Sequence, residues 1–208
     1  MAYAAASDYV EFAHIKTFDS DVDELRWTNF IARAKVLIDN HCRRTFEAAT
    51  DGVIGDSDSP VTRYFDYSED VQGDILYLDK DLVEVSSIKY GDSDGTTLSA
   101  GQYITLPRNE TPINSIKILG SANINWTYDS DVENGIEVAG IWAYSKTAPA
   151  DITWATLRLV DWMEKIRTSN PDLDRPALAG DGTVLLPTRL PADVVAILNT
   201  YKRMRLIA

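Results

Sequence analysis

Two histidines and one cysteine are all that this chain of 208 residues offers for imidazole or thiol chemistry, and their positions decide what they can do. His41 adjoins Cys42, but consecutive residues on a helix point about 100 degrees apart, so an imidazole–thiolate pair is not expected there. Cys42 reads as a small core residue. His14 lies in a segment without clear period and lacks the partner that a general base needs. One cysteine forms no internal disulfide, and these few groups do not reach the spacing of a zinc site. We therefore expect no enzyme activity, no metal and no cofactor.

Other strings invite chemistry and then fall short of it. Asp56-Ser57-Asp58-Ser59 and Asp129-Ser130-Asp131-Val132-Glu133 offer oxygens to a hard cation, but neither has the glycine and glutamate spacing of a calcium loop, so both read as solvated loops. Gly180-Asp181-Gly182 is too short to cradle a phosphate, and the next base is as far away as Arg189. Trp27 and Trp162 fall on apolar helical faces and read as core, whereas Trp126 and Trp142, on expected strands, stay open between core and sugar stacking. A carbohydrate- or receptor-binding β module is accordingly the alternative reading. Paired carboxylates of a hydrolase stay open too in so acidic a chain.

Charge is distributed unevenly. The formal net charge is -12, yet residues 51 to 100 carry twelve acids against three bases while residues 151 to 208 carry seven against eight. An acidic balance of this kind argues against gripping nucleic acid, because phosphate binding rests on Lys and Arg releasing counterions. The end of the chain departs from it: Tyr201, Lys202, Arg203, Met204 and Arg205 combine charge with apolar surface. They either complement a helix dipole or form a docking element for an acidic groove on a partner.

The elements that must position these residues follow from period. From Asp21 to Arg44, Trp27, Phe30, Ile31, Ala34, Leu37, Ile38 and Cys42 recur at steps of three and four, which is one face of a long helix. Asp21 and Glu24 stand in capping-box spacing at its start, and Arg43 and Arg44 suit its negative end. Tyr9 to Phe18 reads as a helical turn or an arm. Residues 51 to 60 read as a loop.

Between Thr62 and Tyr144 the period changes to β-rich runs: Thr62 to Asp66, Asp74 to Leu78, Val83 to Tyr90, Tyr103 to Leu106, Ile113 to Leu119, Ile124 to Tyr128 and Ile136 to Tyr144. Gly91-Asp92-Ser93-Asp94-Gly95 and Asn134-Gly135 supply residues that tolerate positive φ, as hairpin turns require. These runs predict an antiparallel sheet or small barrel. Helical period returns at Ile152, Ala155, Leu159, Trp162, Met163 and Ile166 behind Pro149. It returns again from Pro191-Ala192-Asp193 with Val194, Ile197, Leu198, Tyr201 and Met204 on one side. Between them, residues 171 to 190 form a linker with at most a short strand at Thr183 to Leu186.

The expected class is α+β, a small helical bundle with a long N-terminal helix and two C-terminal helices, carrying an inserted antiparallel β module. In residues, 1 to 50 are the N-terminal arm and long helix, 51 to 148 the acidic β-rich insertion, and 149 to 208 two bundle helices with linker and basic tail. Met1 to Asp8 lack the pattern of a signal peptide, and no apolar run long enough to span a membrane occurs, so a soluble, unsecreted protein is expected.

On this layout, Ile136-Glu137-Val138-Ala139-Gly140-Ile141-Trp142, then Pro149-Ala150-Asp151-Ile152 and a helix reaching Trp162-Met163-Glu164, resemble the head-to-tail connector (adaptor, or head-completion) proteins of long-tailed double-stranded DNA phages. Leu190-Pro191-Ala192-Asp193-Val194 through Tyr201, Lys202 and Arg203 is similar to the last helix of that family. Cys42-Arg43-Arg44-Thr45-Phe46 is similar to the end of its first helix. The resemblance runs from about residue 20 to 205.

It implies a structural virion protein at the neck, assembled from host cytoplasm into a ring, a dodecamer in the virion, beneath the portal protein and above the next neck or tail protein. It implies docking to the portal by Tyr201, Lys202, Arg203, Met204 and Arg205. DNA would pass through without specific binding, and the acidity of residues 51 to 100 would suit a bore lining, with Asp70, Asp74, Asp92 and Asp94 facing the duplex. A stopper or tail-terminator protein one position further down the neck is the nearest variant of this reading.

Overall fold

The computed structural model describes residues 2–19, 21–47, 60–91, 95–127, 133–169, 177–178, 184–185 and 190–203. The strings at Asp56 and Gly180, Asp129 to Val132, the acids Asp92 and Asp94, the tail residues Met204 and Arg205, and most of the 171–190 linker lie outside them. The fold is α+β, with α-helices and two four-stranded antiparallel sheets. The chain divides into two compact units, one built from residues 44–148 and one from 2–43 together with 149–203.

The helical unit contains α1 (Ala6–Phe12), α2 (Val22–Cys42), α4 (Ala150–Ser169) and α5 (Ala192–Thr200). Helix α2 turns Trp27, Ile31, Ala34, Ile38 and Cys42 inward, the face read from its period. Helix α4 meets it with Ile152, Ala155, Leu159, Val160 and Met163, all buried. Thr156 is buried on the same helix and satisfies its hydroxyl by donating to the Ile152 carbonyl at 2.8 Å. From α1, Tyr9 packs edge-on against Trp27 at 5.4 Å. That burial pushes the Tyr9 hydroxyl up to about 12, with Asp161 and Glu164 adding to the rise. Arg26 links the two long helices at their rim, pairing with Asp23 at 2.6 Å and with Glu164 at 3.2 Å.

The start of α2 is capped differently from expectation. Asp21 has helical backbone angles and makes no side-chain cap. Asp19 does the work, accepting from the amides of Asp21 at 3.0 Å and Val22 at 3.3 Å, while the Asp23 carboxylate accepts from the Asp19 amide at 3.0 Å. The reciprocal pattern of a capping box is present, displaced by two residues toward the N-terminus for its first member. At the other end Arg43 takes a left-handed φ of 55° and closes the helix.

The β unit has one sheet in the order β1 (Val61–Phe65), β8 (Ile136–Ile141), β4 (Glu84–Tyr90), β5 (Thr96–Thr97) and a second in the order β2 (Val71–Gln72), β3 (Ile75–Leu82), β7 (Ile113–Ile118), β6 (Tyr103–Leu106). A short helix, α3 (Tyr67–Asp70), precedes β2. The two sheets share a core of Phe65, Leu76, Leu82, Ile88, Ile116, Ile118, Ile136 and Val138, with Trp126 and Trp142 inside it. Alternation along β8, with Ile136 and Val138 buried and Glu137 and Ala139 less so, sets its register on both neighbours.

Three expectations need correction. Ile124 to Thr127 is irregular chain, because Trp126 is held by its indole N–H donating to the Asp74 carbonyl at 3.0 Å and not by a ladder. Asn134 does take a positive φ of 60°, but the turn feeds β8, whose partners are β1 and β4, so it closes no hairpin with the preceding strand β7. In the linker, Ala177–Leu178 (β9) pairs antiparallel with Val184–Leu185 (β10), so the strand expected there has a partner.

Buried charge in this unit is compensated. Asp81, only 5% exposed, pairs with Arg44 at 3.2 Å, and the Arg44 guanidinium lies over the Tyr144 ring at 5.2 Å. Removing either partner of such a pair strands a charge in a poor solvent for it.

Gly140 sits in the central strand β8 opposite Val61 on one side and Val85 on the other. A Cβ there would run into the Glu84 carbonyl oxygen and come within 2.7 Å of Leu82 Cδ1. The obstacles belong to two packed strands, Leu82 to β3 and Glu84 to β4, and the β4 register shifts nearby between Val85 and Ser87. Gly140→Ala is therefore expected to destabilise by about 1–3 kcal/mol, read as a lower urea midpoint. An unchanged midpoint would contradict the packing.

Candidate functional site

The basic C-terminal element begins at the end of α5. Val194 and Leu198 are fully buried, which fixes this short helix against the bundle. Asp193 receives the Arg158 guanidinium at 3.0 Å. Desolvation acts to raise its carboxyl, but the bonds from Arg158 and from the Val194 amide outweigh it and hold the group below the usual carboxylate range. Tyr201 caps the helix and its hydroxyl donates to Asp151 at 3.3 Å. The Arg203 amide donates to the Cys42 carbonyl at 2.9 Å, so the chain is still tied to the bundle there. Lys202 is exposed and Arg203 partly so. Of the five residues expected to dock, the three that are described, Tyr201, Lys202 and Arg203, lie at one end of the helical unit.

The same end explains His41 and Cys42. Each faces α5 and not the other: His41 Nε2 lies 3.0 Å from Asn199 Oδ1, and the Cys42 thiol donates to the Leu198 carbonyl at 3.4 Å. His14 is exposed, with a left-handed φ of 52°, at the turn that ends α1. Among the described residues no three His, Cys, Asp or Glu side chains gather as metal ligands. No described helix is long and apolar enough to cross a membrane.

Of the four acids expected in a bore, two are described, and they share one edge of one sheet. Asp70 ends α3, and Asp74 is the second residue of the two-residue turn joining β2 to β3, where Gly73 supplies the positive φ of 62°. Asp74 is exposed. Asp92 and Asp94 lie outside the described residues. What sequence reasoning missed is the company of Asp70. Asp66, Glu69 and Asp79 all act on it electrostatically, although burial is the larger cause and pushes its carboxyl up. Asp66 and Asp79 have structural duties as well: Asp66 accepts the Asn134 amide at 2.9 Å, and Asp79 accepts both arms of Arg63. Only the helical turn of α3 and the return of β3 bring Asp66, Asp70 and Asp79 together, and no periodic signal in the sequence carries that.

The tryptophans left open are both core. Trp126 is 3% exposed and Trp142 6%, and the Trp142 indole donates to the Val61 carbonyl at 2.8 Å. Neither ring offers a face for sugar stacking. Trp154, on α4, is instead the exposed one at 40%.

No family model matches the chain, and no curated protein matches it in sequence. Solved structures do. In fold, the chain resembles proteins of a particle neck. One match is to the neck of an empty GTA (gene transfer agent) particle computed with C6 symmetry, at 13% identity and a TM-score of 0.57. Another is to the neck of a native GTA particle computed with C12 symmetry, at 15% identity and a TM-score of 0.52. Each covers 97% of this chain and 90% of the other, so the likeness extends through both compact units.

The raised carboxyl of Asp70 has a measurable consequence. A carboxyl raised in the folded state favours folding when protonated, and that contribution is lost as pH rises through its folded value. Asp70→Asn keeps an acceptor for the Asp66 amide and removes the charge. It is expected to raise the melting temperature slightly at pH 7 and to leave it unchanged at pH 3. A fall at pH 7 would mean that the carboxylate is stabilising.

Proposed function

We propose that this protein is a structural, non-enzymatic subunit of the head-to-tail neck of a phage-like particle, assembled as a ring. The observation that carries the reading is the likeness in fold to the neck of GTA particles across 97% of the chain. Within that reading the finer role is an adaptor beneath the portal protein, twelve copies to a ring, with the next neck or tail protein below. The helices are the scaffold, and residues 51–148 are an insertion serving as the bore module.

Two features support the finer role. Tyr201, Lys202 and Arg203 follow one another directly after α5, and with Met204 and Arg205 they would make up a docking element for a portal. The acids Asp66, Glu69, Asp70 and Asp74 concentrate negative charge around α3 and the β2–β3 turn, and like charge keeps a passing duplex from adhering. The buried indoles of Trp126 and Trp142 weigh against the carbohydrate-binding alternative.

Purified particles test the assignment. Mass spectrometry is expected to find the protein at a ring-like copy number, and absence from particles would overturn the reading. A neck reconstruction should place Asp70 and Asp74 toward the bore; an outer-rim position would remove the lining role. Reversing charge at Lys202, Arg203 and Arg205 to Glu should leave a folded protein that fails to join the portal, whereas undiminished joining would rule out the docking tail.

A further inference from the structure

Helices α4 and α5 meet along a seam that is braced by polar bonds at both ends and apolar in the middle. At one end the Arg158 guanidinium reaches Asp193 at 3.0 Å, and at the other the Tyr201 hydroxyl donates to Asp151 at 3.3 Å. Asp151, Trp154 and Arg158 follow at steps of three and four on α4, so they share one side of that helix. Asp193, Ile197 and Tyr201 follow at steps of four along α5 and its cap. The two bonds therefore run the helices antiparallel and set positions 154 and 197 level with each other between the braces. Trp154 is 40% exposed, and Ile197 is half-buried.

A lone apolar side chain on an outer helical face is ordinary. The setting of Trp154 is not, because the residues on both sides of it are fixed by bonds across the seam. The ring stands on a part of the surface that has little ordering left to undergo on binding. A large aromatic at the centre with satisfied polar groups around it is the anatomy of a protein contact, in which one anchor supplies most of the energy and the rim keeps water out.

Charge indicates what the occupant carries. Arg158 and Asp193 answer each other, and Asp151 lies in the first turn of α4, where the positive end of the helix answers it. The charge that the seam gains at its Tyr201 end is basic: Lys202 is exposed directly after Tyr201, and Arg203 and Arg205 follow in the sequence. We propose that the α4–α5 seam is a protein-docking site anchored by Trp154, whose occupant is a segment with an apolar side chain beside carboxylates, the side chain on the indole and the carboxylates toward Lys202. The inference rests on the neck reading, in which this segment belongs to the portal protein, and it extends the docking element from the basic end of the chain onto α4. The two parts act differently: desolvation of the indole holds the complex, while exposed bases speed encounter and are screened by salt.

Particles assembled with full-length variants test this. Trp154→Ala and Trp154→Gln should each keep the circular dichroism spectrum of the unaltered protein and lower its copy number in purified particles by about tenfold, as loss of an anchoring aromatic does. Trp154→Phe should restore most of it. Raising salt should slow the joining of free protein to portal-bearing heads. A normal copy number for both Trp154→Ala and Trp154→Gln overturns the proposal, and so does joining that is indifferent to salt. If the free protein forms rings that Trp154→Ala abolishes, the seam holds a second copy of this chain, which also overturns it. Absence of the unaltered protein from particles is a different failure, since it removes the neck reading itself.

Discussion

The packing of α2 on α4 is the constraint on which the remaining arrangement rests. These two helices are separated by more than a hundred residues, and their buried faces, Trp27 to Cys42 on one and Ile152 to Met163 on the other, supply most of the buried hydrophobic residues described in the helical unit. Loop-closure entropy grows only slowly with loop length, so a β unit of this size between the two helices adds little to the cost of bringing them together. Helices α1 and α5 depend on the same pair. Tyr9 finds Trp27 only because α2 presents it, and Leu198 is buried where α5 meets α2 and α4.

Polar groups of these helices are satisfied within the helical unit. Asp19 and Asp23 satisfy the first amides of α2, Thr156 returns its hydroxyl to its own helix, and the end of α2 gives its Cys42 carbonyl to Arg203. In the β unit the same accounting places both tryptophans: each indole N–H needs an acceptor, and each finds a backbone carbonyl at the margin of the core. A ring held in that way has neither the freedom nor the exposure to stack on a sugar. The proposed assembly role would instead use surfaces, the basic end of the chain and the acidic edge at α3.

The helices were legible because their apolar residues recur at the helical period over many turns, and the long strands because β-rich runs are bounded by turn residues. Short elements were not. Helix α3 and strands β2 and β5 span two to four residues each, too few for any period to register. The capping of α2 was read in the right kind but at the wrong aspartate, since Asp19 and Asp21 both precede the apolar run and only backbone angles separate them. The exposure of Trp154 was hidden in the same way: it is an ordinary apolar residue of α4 until the fold leaves it outside.

By itself the sequence determined the fold class of the protein, the positions of its long helices and the acidic and basic regions, because composition and period are properties of one segment at a time. The tertiary structure alone decided how the strands divide into two sheets, which carboxylates share the surroundings of Asp70, that Trp126 and Trp142 are core, and that Trp154 stays outside. Those depend on contacts between residues far apart in the chain, and a one-dimensional pattern does not record which distant segment will supply the other half of a contact.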